Sequence, residues 1–217
     1  MQTLWNQFLS ILFPEHCIGC GRGGTALCAL CERTITGKPT ALSRSTAALF
    51  DYKNPLVKKA IWALKYDRHL SLGNYFGIAL YREFFKHLAR SSGKSGDIYI
   101  IPVPSSSGTL RERGDNHAEK IAESIVKCAA KDGFLLVADA HILYKEKETK
   151  RQVETKDKKE RLANLRGAFA VKNAERIEGK TVVLIDDVIT TGATLREARA
   201  VLKAFGPKRI LAIAVAH

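Results

Sequence analysis

Residues Val182 to Thr194 read VVLIDDVITTGAT, and no other stretch constrains the chain as strongly. Val182, Val183, Leu184 and Ile185 form an unbroken apolar run rich in β-branched side chains, the pattern of a parallel strand buried on both faces. Asp186 and Asp187 follow at the carboxyl end of that strand, the edge of an open α/β sheet where ligands bind. Thr190, Thr191, Gly192, Ala193 and Thr194 are small enough to let a ligand approach the backbone, and LREARAVLKAF continues as a helix. Loop amides at a helix N-terminus, with hydroxyls around them, hold anions. Carboxylates repel phosphate but accept hydrogen bonds from sugar hydroxyls. The stretch is expected to cradle a phosphorylated sugar.

The rest of the chain supplies the strands and helices such a cradle needs. STAALFDY has strand character, and NPLVKKAIWALKY opens a helix with Asn54 as cap and Pro55 in the first turn. A second helix is expected over Leu70 to Ala89. DIYIIPVP is a strand running into a proline-stiffened turn, and Ala118, Ile121, Ala122, Ile125 and Ala129 mark one face of a further helix. Strands are expected at HILY, GAFAV and RILAIAVA. Strands alternating with helices mean an α/β fold with a mostly parallel sheet. The segment from Leu143 to Leu165 is dense in charge and has no long apolar stretch. It is expected to be a loop or solvated hairpin, and either a lid or a plain charged ribbon fits it.

Four of the five cysteines fall in CIGCGRGGTALCALC, as Cys17, Cys20, Cys28 and Cys31. Two C-x2-C pairs joined by a glycine-rich hairpin can set four thiolates around one Zn2+. A redox dithiol would need one such pair. With four sulfur ligands no position is left for water, so the expected zinc is structural. Cys128 falls on a helix and is expected only to pack.

Thirty-five Lys and Arg against 22 Asp and Glu leave a net charge of +13. Such an excess favours anionic partners, whether nucleic acid, nucleotides or polyphosphates, without choosing among them, with a basic compositional bias as the lesser alternative. No apolar run approaches the ~20 residues of a membrane span. The amino-terminal MQTLWNQFLSILFPEHC has helical apolar spacing at Leu4, Trp5, Phe8, Leu9, Leu12 and Phe13, but lacks the basic start and small-residue cleavage site of a signal peptide. A short amphipathic helix packed on the body is expected there, and a cytoplasmic location for the protein.

The Val182–Thr194 stretch resembles the phosphoribosyl diphosphate (PRPP) signature of type I phosphoribosyltransferases, with strand, acid pair and phosphate loop in order. The whole chain resembles the ComF family, competence protein F or amidophosphoribosyltransferase-like proteins. IPVPSSSGTLRERGDNHA, KRQVETKDKKERLANLRGAF and LKYD at Leu64 to Asp67 carry that resemblance further. Pro102, Val103 and Pro104, then Arg113, Gly114, Asn116 and Ala118, match the family's P-V-P and R-G-x-N-x-A motifs. Asp115 and His117 stand where members usually have Phe and Gln. Gln152, Arg161, Asn164 and Phe169 match a Q, R, N, F pattern on the segment that acts as a lid in related transferases.

The resemblance implies a type I phosphoribosyltransferase-like, mostly parallel sheet flanked by helices over residues 46–217, preceded by a helix and four-cysteine zinc knuckle over 1–45. It further implies that Asp186 and Asp187 grip the ribose hydroxyls while Thr190, Thr191, Gly192, Ala193 and Thr194 hold the 5′-phosphate. Pro104, Ser105, Ser106 and Ser107 would meet the diphosphate, with Mg2+ bridging diphosphate and ribose oxygens. Lys150, Arg151 and Arg161 are the lid candidates to close over it. No general base is identifiable: His69, His87, His117 and His141 are scattered. The implied activity is transfer or sensing of the phosphoribosyl group, with an unspecified acceptor, in a competence or DNA-uptake setting. The alternative is a non-catalytic single-stranded DNA-binding competence factor that works with DNA-processing proteins.

Overall fold

The structure is a computed structural model, and it describes residues 15–35, 39–67, 69–92, 96–104, 116–145 and 168–217. Its centre is a six-stranded sheet ordered β1-β2-β8-β7-β3-β4. These strands are β1 (Thr40–Ser43), β2 (Thr46–Phe50), β3 (Ile98–Pro102), β4 (Val137–Ala138), β7 (Thr181–Val188) and β8 (Arg209–Ala216). All neighbours pair in parallel except the β1–β2 hairpin. β5 (Leu143–Lys145) and β6 (Phe169–Val171) form a separate antiparallel pair. The alternation of strands and helices therefore yields the expected mostly parallel sheet, but HILY and GAFAV contribute to the side hairpin rather than to the main ladder.

The central position of β7 follows from its composition. Val182, Val183, Leu184 and Ile185 are all fully buried, and their side chains divide between two apolar layers as a strand's period of two requires. Val183 and Ile185 face the larger layer with Ile98, Ile100, Ile213 and Val215. Val182 and Leu184 face the smaller one with Ile101, Ala212 and Ala214. The strand continues beyond its apolar run through Asp186 and Asp187 to Val188, and Asp186 still pairs with Ala214. Both acids are thus held by the ladder, not by a free loop.

Helices cover both faces. α1 (Ala29–Glu32) belongs to the cysteine segment, and α2 (Pro55–Tyr66) follows β2. Asn54 caps α2 by accepting from the N–H groups of Leu56 and Val57 at 2.9 and 3.2 Å, with Pro55 opening the helix. α3 (Leu70–Leu80) runs through a π-helical turn at Tyr81–Phe85 into α4 (Lys86–Ser92), one helical run where the sequence predicts one. α3 packs on α5 (His117–Lys131) at a close approach: a Cβ on Gly77 would lie 2.4 Å from the Ser124 Cβ. α6 (Ala193–Lys203) packs through Leu195, Ala198 and Leu202 on the opposite face. Among the described residues no helix is long and apolar enough to cross a membrane. The amino-terminal amphipathic helix lies outside the described residues.

Candidate functional site

Asp186 and Asp187 stand at the carboxyl edge of the sheet's centre. The Asp187 N–H donates to Asp186 Oδ1 at 2.9 Å, which fixes one carboxylate over its own backbone. The other is met from far along the chain: Lys65 Nζ lies 2.7 Å from Asp187 Oδ1, with both side chains more than three-quarters buried. Lys65 sits in the last turn of α2, whose opening cap lies just beyond the end of β2. Since Phe50 pairs with Ala216 at the same edge of the sheet, α2 lies across that edge. Nothing in the sequence signals this contact, because it spans 122 residues.

The two acids are electrically unequal. Burial, and then the charge of Asp187, push the Asp186 carboxyl up to about 7, against the opposing pull of Lys65, the Asp187 N–H and Lys145. Lys145, the last residue of β5, is itself lowered by burial and partly restored by Asp186. Asp187 is paired with the Lys65 ammonium, while burial and its neighbour's charge favour the neutral form of Asp186.

The signs give a pH dependence. The folded carboxyl of Asp186 lies above its ordinary value of 3.8, so between those values the native state binds more protons than the unfolded chain. The associated stability is present below about pH 4 and is lost as pH rises through about 7. Asp186→Asn mimics the protonated group, so its melting temperature should exceed that of the wild type more at pH 8 than at pH 5. Thermal unfolding of both proteins across this range checks it, and a difference that does not grow with pH contradicts it.

The loop after the acids turns through Gly192, whose φ is +66°, in the left-handed region that side chains rarely adopt. It caps α6, and Thr191 closes the turn: Thr191 Oγ1 accepts from the Ala193 N–H at 3.4 Å, and the Thr191 carbonyl accepts from Arg196 Nη1 at 2.8 Å. Thr190 is exposed, Thr191 and Thr194 are half-buried, and Ala193 is buried. Hydroxyls, small side chains and the first amides of α6 therefore converge beyond the carboxylates. Pro104 reaches the same edge, because the Val103 N–H extends the β3–β7 ladder by donating to the Ile185 carbonyl at 2.8 Å. Ser105, Ser106 and Ser107, which follow it, lie outside the described residues, as do Lys150, Arg151, Gln152, Arg161 and Asn164. Phe169 is described, buried on β6 directly opposite Lys145. Lys145 and Phe169, which flank residues 146–167 in the chain, are thus paired, and Lys145 feels the charge of Asp186.

The four cysteines gather into a second constellation. Their Sγ atoms all lie within 4.8 Å of one another, and Cys20 and Cys28 are 3.7 Å apart. A tetrahedron with Zn–S bonds of about 2.3 Å has edges near 3.8 Å, so the spacing fits a single zinc ion. The fit is tight, since a Cβ on Gly19 would fall 2.6 Å from Cys31 Sγ. Burial raises the Cys17 thiol, but N–H groups of Cys28, Cys20 and Gly19 outweigh it and hold it at about 6. Burial and the neighbouring sulfurs push Cys31 up to about 12. Four sulfurs this close cannot all ionise without a cation among them. Cys17 and Cys28 are 2% and 6% exposed and share one core layer with Val57, Ile61 and Leu64 of α2, the helix that presents Lys65.

Known proteins agree with this architecture. Residues 118–217, from α5 to the end of β8, match the phosphoribosyl transferase domain family. Competence protein ComFC of Bacillus subtilis (strain 168) is 30% identical over 188 residues, which cover 84% of this chain and 69% of the relative. Competence protein ComFC of Streptococcus pneumoniae (strain ATCC BAA-255 / R6) is 26% identical over 196 residues, covering 90% and 78%. Competence protein F of Haemophilus influenzae (strain ATCC 51907 / DSM 11121 / KW20 / Rd) is 30% identical over 114 residues, 51% of this chain and 46% of the relative. With a type I phosphoribosyltransferase fold and a four-cysteine cluster ahead of it, this chain belongs to the ComF family of competence proteins.

Proposed function

We propose that the protein binds PRPP at the carboxyl edge of β7 and transfers or senses its phosphoribosyl group. The reading rests on one observation above others: a ladder-held acid pair runs directly into a left-handed glycine turn and the N-terminus of α6. Asp186 and Asp187 accept hydrogen bonds from the ribose 2′ and 3′ hydroxyls. Thr190, Thr191, Gly192, Ala193 and Thr194 hold the 5′-phosphate with amides and hydroxyls, where the helix dipole favours an anion. Lys65 holds the Asp187 carboxylate in place through their 2.7 Å contact. Pro104, and Ser105, Ser106 and Ser107 beyond it, take the diphosphate, with Lys150, Arg151 and Arg161 as the groups that close over it. Among the described residues no third carboxylate or histidine joins the acid pair, which suits a Mg2+ held chiefly by substrate oxygens. When bound, that ion neutralises the diphosphate. In transfer, an acceptor's lone pair bonds to ribose carbon 1 as the bond to diphosphate breaks, the electron pair leaving with diphosphate. The protein's part is to orient the sugar, stabilise the departing charge and exclude water.

The same proposal assigns a structural zinc to Cys17, Cys20, Cys28 and Cys31. Protein purified under reducing conditions should carry one zinc per chain. Less than half an equivalent of metal, with four freely titratable thiols, contradicts the assignment. For the PRPP site, PRPP with Mg2+ should raise the melting temperature, as a ligand specific to the folded state must. No shift at millimolar PRPP contradicts it.

A second reading, a non-catalytic single-stranded DNA-binding factor, is favoured by the outward face of α2. Trp62 and Tyr66 are 55% and 53% exposed, with ring centroids 5.1 Å apart, and Lys58 and Lys59 flank them, also exposed. Aromatic platforms beside lysines suit unpaired bases and their phosphates. Arg68 lies outside the described residues. On this reading a fluorescent oligothymidylate binds at micromolar concentration or below near physiological salt, and its affinity falls steeply as salt rises. Trp62→Ala with Tyr66→Ala should cost about 1–3 kcal/mol per stacked base. Anisotropy titration checks both, and binding that vanishes at moderate salt or ignores the two rings contradicts the reading.

A further inference from the structure

The helical run from Leu70 to Ser92 is broken by the π-helical turn at Tyr81–Phe85. Such turns are rare, cost regular hydrogen bonding and recur at functional sites. This one re-aims the face that follows it, so that Phe84, His87, Leu88 and Ser91 line one cavity. A second irregularity meets it from the other side. The β1–β2 register shifts between Ala41 and Ser43, where Ala41 opposes Ala47 but Ser43 opposes Thr46. A bulge of this kind turns the strand and re-aims its side chains. Ala41, Ser43 and Ala47 form the facing wall. The hairpin turn is also pinned from the opposite face of the sheet: Arg199 of α6 donates to the Ser45 carbonyl at 2.9 Å and to Thr46 Oγ1 at 3.2 Å. Two departures from regular geometry thus hold open one space of about 400 Å³, within the usual range for a small-molecule site.

The lining of this cavity is of two kinds. Phe84, Leu88, Leu211 and Ile213 make it apolar, while Arg44 and Arg209 bring positive charge, His87 adds an imidazole, and among the described residues no acidic side chain lines it. Among the described residues neither arginine makes an ion pair. The cavity lies at the amino-terminal half of β8, where Thr46 pairs with Ala212, whereas the acid pair lies at the carboxyl end, where Asp186 pairs with Ala214. At ~3.3 Å per residue along a strand, Arg209 and Ala214 are roughly 17 Å apart. The two sites open at opposite edges of one sheet.

We propose that this cavity is a second ligand site, for a small organic anion with a flat apolar body and a single phosphate, carboxylate or sulfonate head. The body lies on Phe84, Leu88 and Ile213, and the head meets Arg44 and Arg209, whose planar guanidinium groups suit such oxyanions. The site takes no part in the PRPP reading and stands if that reading fails.

The probe that tests it is 8-anilinonaphthalene-1-sulfonate, an aromatic sulfonate of this chemistry whose fluorescence rises in apolar surroundings. With native full-length protein it should bind saturably, one per chain, and raise the melting temperature. Arg44→Ala with Arg209→Ala should weaken binding at least tenfold. Ala47→Trp, which fills the cavity, should abolish it, and Ser91→Trp at the mouth should do the same without touching the sheet. Saturating PRPP and Trp62→Ala should leave binding unchanged. Binding that survives the paired arginine change and either tryptophan variant overturns the assignment. So does displacement by PRPP, loss in Trp62→Ala, or a melting temperature that falls with the probe.

Discussion

Replacing Cys28 by serine should remove the bound zinc and lower the melting temperature by about 10 °C or more. Structural zinc sites contribute apparent binding energies of about 10–16 kcal/mol, of which only part appears as lost stability because the reduced knuckle keeps some packing. Even ~4 kcal/mol corresponds to ~10 °C at roughly 2–4 °C per kcal/mol for a chain of this size. The loss should not stay local. Cys17, Leu27, Cys28 and Ile35 share a buried layer with Val57, Ile61 and Leu64, and Asn54, whose Oδ1 caps α2, donates through Nδ2 to the Thr34 carbonyl at 3.3 Å. Chelation should therefore loosen α2, and with it the Lys65–Asp187 contact, so that PRPP affinity falls together with zinc content. Metal analysis and PRPP titration on one chelated sample check this. Full PRPP affinity in zinc-free protein would separate the two sites.

Replacing Gly192 by valine should abolish PRPP binding. The residue sits at φ +66°, a region that costs an ordinary side chain about 1–2 kcal/mol and a β-branched one more. Room is not the main obstacle, since a Cβ there would lie 3.4 Å from Arg196 Nη1, the far end of a long side chain. The backbone is: a valine that escapes to negative φ reorients the Thr191–Ala193 turn and the amides at the start of α6. Gly192→Asn tolerates the left-handed conformation and should keep part of the affinity. Isothermal titration of both variants, with circular dichroism to establish folding, distinguishes loss of the turn from loss of the protein. Equal affinity in wild type and Gly192→Val would place the phosphate elsewhere.

Lys65→Met separates positioning from folding more finely. It leaves Asp187 unpaired beside Asp186, which costs about 1–3 kcal/mol. It should weaken PRPP binding more at pH 8 than at pH 6, where Asp186 holds a proton and the remaining repulsion is smaller. Lys65→Arg should restore most of the affinity.

Local chemistry made the strand, turn and helix of the Val182–Lys203 stretch legible. The apolar run, two acids, small loop and helix of Val182–Lys203 lie consecutively, and β7, its turn and α6 follow that order. The cap at Asn54 and the spacing of the cysteines are legible for the same reason. The contact between Lys65 and Asp187 is not, since only the path of α2 across the sheet edge brings them together. Lys145 is a similar case, an ordinary charge in a charged stretch until β5 and β6 fold it towards Asp186. β1 and β4 escape sequence reading because TALS and VA are too short and too weakly patterned to declare themselves. HILY and GAFAV have strand composition, but composition does not say which sheet a strand joins. The π-helical turn is invisible because LYREFFKHL keeps the apolar character of the helix around it.

The central claim is that the acid pair holds a ribose. Calorimetric titration of PRPP with Mg2+ into wild-type protein and into the Asp186→Asn, Asp187→Asn double variant tests it most directly. The account predicts one-to-one binding to the wild type and at least a hundredfold weaker binding to the variant, with both proteins folded at the same temperature. Equal affinity for the two proteins, or no heat from either, would contradict it.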